Sequence, residues 1–136
     1  MKNWQATVCG IVAGAIINLG LVTVGMSVFP LPEGIDASNM DEIRKLMPTL
    51  PVGNFVFPLL GHALGTLIGA TVAAKLAANS PLRRALIVGG IFLLGGIAMI
   101  INCSGPTWFI VTDLVLCYFP MALLGGTLGM KLRPPA

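Results

Sequence analysis

Three polar side chains lie inside long uncharged runs of this chain, and their types are those that move protons or hold ions: Asn18, His62 and Asp113. An imidazole changes charge near neutral pH, and a carboxylate beside it favours the charged form. We therefore expect His62 and Asp113 to pair inside the membrane. The predicted polar cluster comprises Asn18, His62, Asp113 and Tyr118, with Thr66 and Thr112 as further hydrogen-bonding groups.

Two main interpretations of this cluster stay open. It is either a working proton or ion site, or a buried polar pair that fixes how the helices pack. A charged side chain at the centre of a bilayer raises the free energy by about 2.5–3.5 kcal/mol, so Asp113 must face protein, water or a partner. Two lesser alternatives are a ligand pocket, and an Asp113 that reaches the outer interface near Trp108.

Four apolar segments are needed to position these residues. The chain is 56% hydrophobic and 10% charged, with a mean hydropathy of +0.92, which is typical of membrane proteins rather than soluble ones. A spanning helix needs roughly 20 mostly apolar residues. The sequence predicts a single four-helix transmembrane domain over residues 1–136, with spans at about 6–28, 54–76, 85–103 and 108–130.

The basic residues are distributed unevenly between the two predicted ends of the bundle. Arg44 and Lys45 lie at one end, and the larger group lies at the other: Lys2, Lys75, Arg83, Arg84, Lys131 and Arg133. Cytoplasmic loops of membrane proteins carry an excess of Lys and Arg. This pattern predicts a multi-pass protein with both termini in the cytoplasm and the 29–53 loop outside.

The loop between the first two spans has a short helical pattern. Ser38 resembles a helix N-cap, and Met40, Ile43 and Met47 recur at helical spacing before Pro48. The sequence therefore predicts a short amphipathic helix that lies at the outer interface or covers the bundle. An ordinary structured loop is the alternative.

Small residues recur at four-residue spacing in several spans. Such stripes let helix backbones approach closely in lipid, where no hydrophobic effect drives the helices together. The pattern predicts close packing, either within one chain or against another subunit, and we expect a homo-oligomer or an association with other membrane subunits. The helix-packing residues are Gly10, Gly14, Gly61, Gly65, Gly69, Gly125 and Gly129.

The sequence gives little support for catalysis or for a cofactor. The three cysteines, Cys9, Cys103 and Cys117, have no metal-ligand spacing, and one histidine does not complete a metal site within one chain. The net charge of +3 comes from basic residues at the helix ends and does not indicate nucleic-acid binding. We therefore expect a non-enzymatic protein with no cofactor and no metal, whose surroundings are membrane lipid.

The stretch 58–66, PLLGHALGT, and the stretch 106–121, from Pro-Thr-Trp-Phe to Tyr-Phe-Pro-Met, carry a resemblance. Together they resemble a group of small four-span bacterial inner-membrane proteins of no known activity. The resemblance implies a bacterial inner-membrane location and transfers no functional residue. The leading hypothesis is a non-enzymatic homo-oligomer or accessory subunit of a larger membrane complex. The alternative is a small proton-coupled transporter or channel that uses the His62–Asp113 pair.

Overall fold

The computed structural model describes residues 1–134 and contains helices but no strand within that range. Four segments are long and apolar enough to cross a membrane, which confirms the predicted all-α four-helix transmembrane bundle with a short helix in one loop. The helices are α1 (Asn3–Val28), α2 (Met40–Leu46, continued by a 3₁₀ turn at Met47–Thr49), α3 (Gly53–Leu76), α4 (Pro81–Cys103), α5 (Thr107–Leu116) and α6 (Phe119–Lys131).

The two ends of the bundle are each tied by hydrogen bonds. At the end that carries the 77–80 turn, here called the terminal end, the amide of Asn79 donates to the side chain of Asn3 at 3.0 Å. At the opposite end, here called the loop end, the side chain of Asn54 donates to the carbonyl of Phe29 at 3.0 Å. The polar helix ends are thereby joined to one another outside the apolar segments.

Span three begins earlier than the sequence predicted. Its helix starts at Pro81 rather than near residue 85, so Arg83 and Arg84 belong to its first turn. Proline is favoured at the first helical position because its missing N–H would have no partner there. Ser80, with φ of 51°, makes the tight turn that precedes it.

Span four is two helices rather than one. The chain leaves the helix at Cys117 and Tyr118, and α6 begins again with Pro120 in its first turn. Pro120 has no N–H to donate, and its ring clashes with the carbonyl four residues earlier in a continuous helix. Pro120 therefore favours a break at this point, whereas the sequence analysis placed it inside one uninterrupted span.

Helix α3 is the central element, because α1 and α6 both pack on it over small residues. A Cβ added at Gly10 would lie 2.5 Å from the carbonyl oxygen of Gly69, and one added at Gly65 would lie 2.8 Å from that of Gly14. On the other side, a Cβ at Gly125 would lie 2.9 Å from the Cβ of Ala70. The glycines on these faces are used inside the chain, which explains the close approach of the helices.

The short helix α2 forms as predicted, but its N-cap lies one residue later. The side-chain oxygen of Asn39 accepts from the amides of Asp41 and Glu42, whereas the Ser38 hydroxyl donates to Asp36 at 2.7 Å. Asparagine caps helices as well as serine does. The side-chain bond from Ser38, and then the backbone bond, favour the carboxylate and lower the pKa of Asp36.

Helix α2 is fastened to the end of α4. The Nε of Arg44 donates to the carbonyl of Asn102 at 2.7 Å, where the last carbonyls of α4 lack helical partners. The apolar face of α2, with Met40, Ile43 and the following Met47, lines a pocket beneath it. Of the two predicted placements, the structure has α2 covering the bundle.

We predict that Gly10→Ala destabilises the bundle and that Gly20→Ala does not. The new methyl at position 10 would meet the backbone of Gly69 and the side chain of Ala73, and such overpacking raises the free energy by about 1–3 kcal/mol. No other part of the described chain lies within 4 Å of a Cβ at Gly20, on the same helix. Reversible unfolding in mixed micelles measures both, and equal stability of the two variants would contradict the packing argument.

Candidate functional site

The loop-end half of the bundle contains a hydrogen-bonded cluster of three ionisable side chains. The Nδ1 of His62 lies 2.7 Å from Oδ1 of Asp113. The Tyr118 hydroxyl donates to Oδ2 of Asp113 at 2.8 Å, and its oxygen lies 3.2 Å from Nδ1 of His62. Each carboxylate oxygen therefore has a partner, and the three groups touch one another in pairs.

Burial makes this cluster unlike a surface ion pair. Asp113 is 1% exposed and Tyr118 is 2% exposed. Both residues belong to the fourth apolar segment, and both are enclosed by protein. Within residues 1–134 the contact between His62 and Asp113 is the only ion pair. Removing either partner would leave a buried polar group unsatisfied, which destabilises by about 1–3 kcal/mol and by more when the group is charged.

The break in span four is what allows Tyr118 to reach Asp113. Five residues along a continuous helix correspond to a rotation of about 140°, so the two side chains would point to different faces. After the break at Cys117 and Tyr118, the phenol turns back toward α3 and α4. Gly96 of α4 leaves the space for it, since a Cβ there would lie 2.6 Å from Cζ of Tyr118.

Two threonines that the sequence assigned to the cluster do not belong to it. The hydroxyl of Thr66 donates to the carbonyl of His62 at 2.7 Å, and that of Thr112 donates to the carbonyl of Trp108 at 2.7 Å. Each hydroxyl thus bonds the preceding turn of its own helix, the usual solution for threonine within a helix. The prediction that these two hydroxyls join the cluster was wrong, because each one bonds a backbone carbonyl of its own helix instead.

Asn18 also stands apart from the hydrogen-bonded triad. Its Oδ1 is sealed against α3 and has no partner among residues 1–134, and a Cβ at Gly61 would lie 2.6 Å from it. The accessible part of the amide is therefore Nδ2. Asn18 lines the same pocket as His62 and Tyr118, so it faces the cluster across an open space.

Three partly open pockets follow one another from the cluster to the loop end. The His62 pocket, of about 200 Å³, lies between α1 and α4, with Gly96 and Met99 among its lining residues. The Asp113 pocket, of about 170 Å³, shares His62, Gly96 and Met99 with it. The loop pocket, of about 320 Å³ beneath α2, shares Met99 and Cys103 with the Asp113 pocket.

The pockets end where the terminal half of the bundle begins. The ring of Phe92 lies against Gly14 and closes the gap between α1 and α4, since a Cβ at Gly14 would lie 2.6 Å from Cε2 of Phe92. Beyond it the buried core consists of small side chains in direct contact, namely Ala70, Ala74, Ala85 and Ala122. Close packing therefore separates the cluster from the terminal end of the bundle.

The triad can hold and relay a proton. With Nδ1 bonded to the carboxylate, the other ring nitrogen, Nε2, has no hydrogen-bond partner in the described chain and stays accessible on a ring that is 19% exposed. No group of three or more histidine, cysteine or acidic side chains that could hold a metal ion occurs within residues 1–134. The sequence analysis did not predict the pockets or the contact between Gly96 and the ring of Tyr118. The Gly95-Gly96 pair was the signal that another group could approach α4 closely.

We predict that the single histidine of the chain carries its neutral-form proton on Nδ1. The carboxylate of Asp113 accepts that hydrogen bond at 2.7 Å, which fixes the tautomer and leaves the lone pair on Nε2. Nitrogen NMR of protein labelled at histidine reads this directly, because the sample has one histidine. Asp113→Asn is expected to give a mixture of tautomers, and a wild-type protein protonated on Nε2 instead would contradict the assignment.

Comparisons with known proteins add nothing to this geometry. No protein-family model, no curated protein and no solved structure matches the chain. A functional assignment must therefore rest on the triad, the three pockets and the packing described above.

Proposed function

We propose that this multi-pass membrane protein is a small proton-coupled carrier whose working group is the His62–Asp113 pair. The observation that carries the proposal is a 1% exposed carboxylate bonded to an imidazole that lines a pocket. Ionisable groups within membrane spans are rare, face the interior of the bundle and mark proton and ion pathways.

The proton enters through the free nitrogen. In the neutral form Nδ1 of His62 donates to Asp113, and Nε2 carries the free lone pair of a ring that lines the pocket. Uptake of a proton at Nε2 gives an imidazolium whose positive charge is balanced by the carboxylate at 2.7 Å. The protonated pair therefore carries no net charge inside the membrane. The Tyr118 hydroxyl holds the second carboxylate oxygen and keeps it from turning away.

The closed terminal half favours a carrier over an open channel. Small side chains are in direct contact there, and the ring of Phe92 covers the gap between α1 and α4. A proton or solute bound at His62 reaches the terminal end only if these helices move apart. The break at Cys117 and Tyr118 is a suitable hinge, since broken spans in transporters lie beside the binding site.

We predict that Asp113→Asn and His62→Gln abolish proton uptake into proteoliposomes. Both substitutions keep the approximate size and a side-chain amide that can form hydrogen bonds, while removing the group that changes charge. The measurement is the acidification of the vesicle interior under an imposed membrane potential, reported by a trapped pH-sensitive dye. Thr127→Val is the matched control, because the Thr127 side chain is exposed and its hydroxyl bonds only its own helix, at 2.8 Å from the carbonyl of Leu124.

Correct assembly must be shown for each variant before the flux is compared. Size-exclusion profiles and reconstitution yields serve this purpose. If the charge-neutral variants assemble normally and still move protons at the wild-type rate, the carrier proposal fails. If they fail only in assembly, the pair is a packing device instead.

A second candidate is the homo-oligomer or accessory subunit. The glycine stripes that first suggested it are occupied within the chain, but Gly90 of α4 is not: no other described residue comes within 4 Å of a Cβ placed there. Its neighbours Ile91 and Leu94 are exposed, at 40% and 67%. An outward-facing glycine beside apolar side chains is the surface on which a second helix packs closely in lipid.

We predict that Gly90→Leu separates such an oligomer into single chains without unfolding it. The larger side chain meets nothing in its own bundle and would hold a second helix away. Light scattering with detergent subtraction gives the mass of each variant. Val111→Leu is the control, because it is an exposed position on α5, a helix without glycine. A wild-type protein that is monomeric in lipid nanodiscs at all concentrations removes this candidate.

A further inference from the structure

We infer that the pockets bind a soft monovalent metal cation of the Cu(I) or Ag(I) class and lead it to His62. The inference names the cargo of the carrier proposed above, and it rests on that proposal only for the transport step. Binding itself is argued from sulfur-bearing side chains that come together in the loop-end half.

Sulfur is concentrated along this route. Four of the seven methionines line the loop pocket, and the buried Cys103 lines it with them. They come from four elements of the fold, and we call them the sulfur set: Met26 on α1, Met40 on α2, Met47 in the 3₁₀ turn, and Met99 and Cys103 on α4.

The sulfur set continues inward to the imidazole. Met47, Met99 and Cys103 also line the Asp113 pocket, where His62 and Asp113 form the wall. Met99 and Cys103 are four residues apart and so share a face of α4. Met99 further lines the His62 pocket, where Nε2 is the accessible ring nitrogen.

The chemistry of these ligands selects one class of ion. Thioether and thiol sulfurs are soft donors that bind Cu(I) and bind hard cations such as Na⁺ or Mg²⁺ poorly. A thioether is neutral, so a monovalent ion held by methionines adds only one charge to the apolar pocket. Methionine side chains are also flexible, which lets one sulfur replace another as the ion advances.

At the inner end the ion meets a charged partner. Nε2 of His62 is a metal ligand when the imidazole is neutral, and its Nδ1 bond to Asp113 is the arrangement that orients metal-binding histidines elsewhere. The carboxylate then balances the charge of the cation, as it would balance a proton at the same nitrogen. Cation and proton therefore compete for one atom, which is the coupling that a proton-driven carrier requires.

Silver nitrate is the probe, because Ag(I) has the charge and softness of Cu(I) and is stable in air. The full chain, carrying Cys9→Ser to remove the partly exposed thiol outside the pockets, is placed in nanodiscs in chloride-free buffer. Carbon labels in the methionine methyl groups and nitrogen labels in His62 are followed by NMR during the titration. We expect saturable shifts at Met26, Met40, Met47 and Met99 and at Nε2, with Met121 and Met130 unchanged.

Leucine replaces methionine at nearly constant volume and removes only the sulfur. Met47→Leu with Met99→Leu is expected to weaken Ag(I) binding by about tenfold or more, as the loss of even a supporting group does in metal sites. Met121→Leu with Met130→Leu is the matched control on α6, and the thermal stability of both pairs is compared without silver.

Three outcomes would overturn the inference. They are no saturable binding, equal binding by the two leucine pairs, and shifts restricted to signals outside the sulfur set. The nitrogen signal of His62 is also titrated with acid in the absence of silver. If the His62 signal responds to acid but not to silver, the soft-cation inference fails while the proton site stands. If it responds to silver but not to acid, only the proton site is removed.

Discussion

The structure depends on how one carboxylate is accommodated within apolar helices. Asp113 is 1% exposed in a segment that crosses the membrane, and an uncompensated charge there would be strongly unfavourable. Its two oxygens are each bonded, one to an imidazole of α3 and one to a phenol at the start of α6. Three elements must therefore keep fixed positions, and the break in span four is the conformation that supplies the phenol.

Close packing in the other half of the bundle complements this requirement. The terminal half contains glycines and alanines whose close approach packs α1 and α6 against α3. Dispersion between closely approaching backbones is additive over many atoms and leaves no space for water. The three pockets and the sulfur set lie toward the loop end, where α2 covers them and Arg44 fastens it to α4.

Much of this arrangement was predictable, and the exceptions have physical reasons. The spans follow from uncharged length, and the meeting of His62 with Asp113 follows from the need of each for a partner at the same depth. The break at Tyr118 was not predicted, because a proline inside a span bends some helices and divides others. The result depends on what the backbone groups that lose their helical partners contact instead. The pockets could not be predicted at all, since they depend on side chains from α1, α4 and the loop that no local pattern relates.

The stripe of α3 that begins at His62 links the two halves. Residues 62, 66, 70 and 74 share one face of that helix. In the terminal half the stripe is alanine, and Ala70 and Ala74 meet the glycines of α6 at distances that exclude any larger side chain. At the loop end the same stripe carries the imidazole and meets α5 instead. A movement of α6 away from Ala70 would therefore begin at the break beside Tyr118 and release Asp113 at the same time. Because one stripe both packs the terminal half and carries His62, opening of the bundle and release from His62 would be parts of a single rearrangement in the proposed carrier.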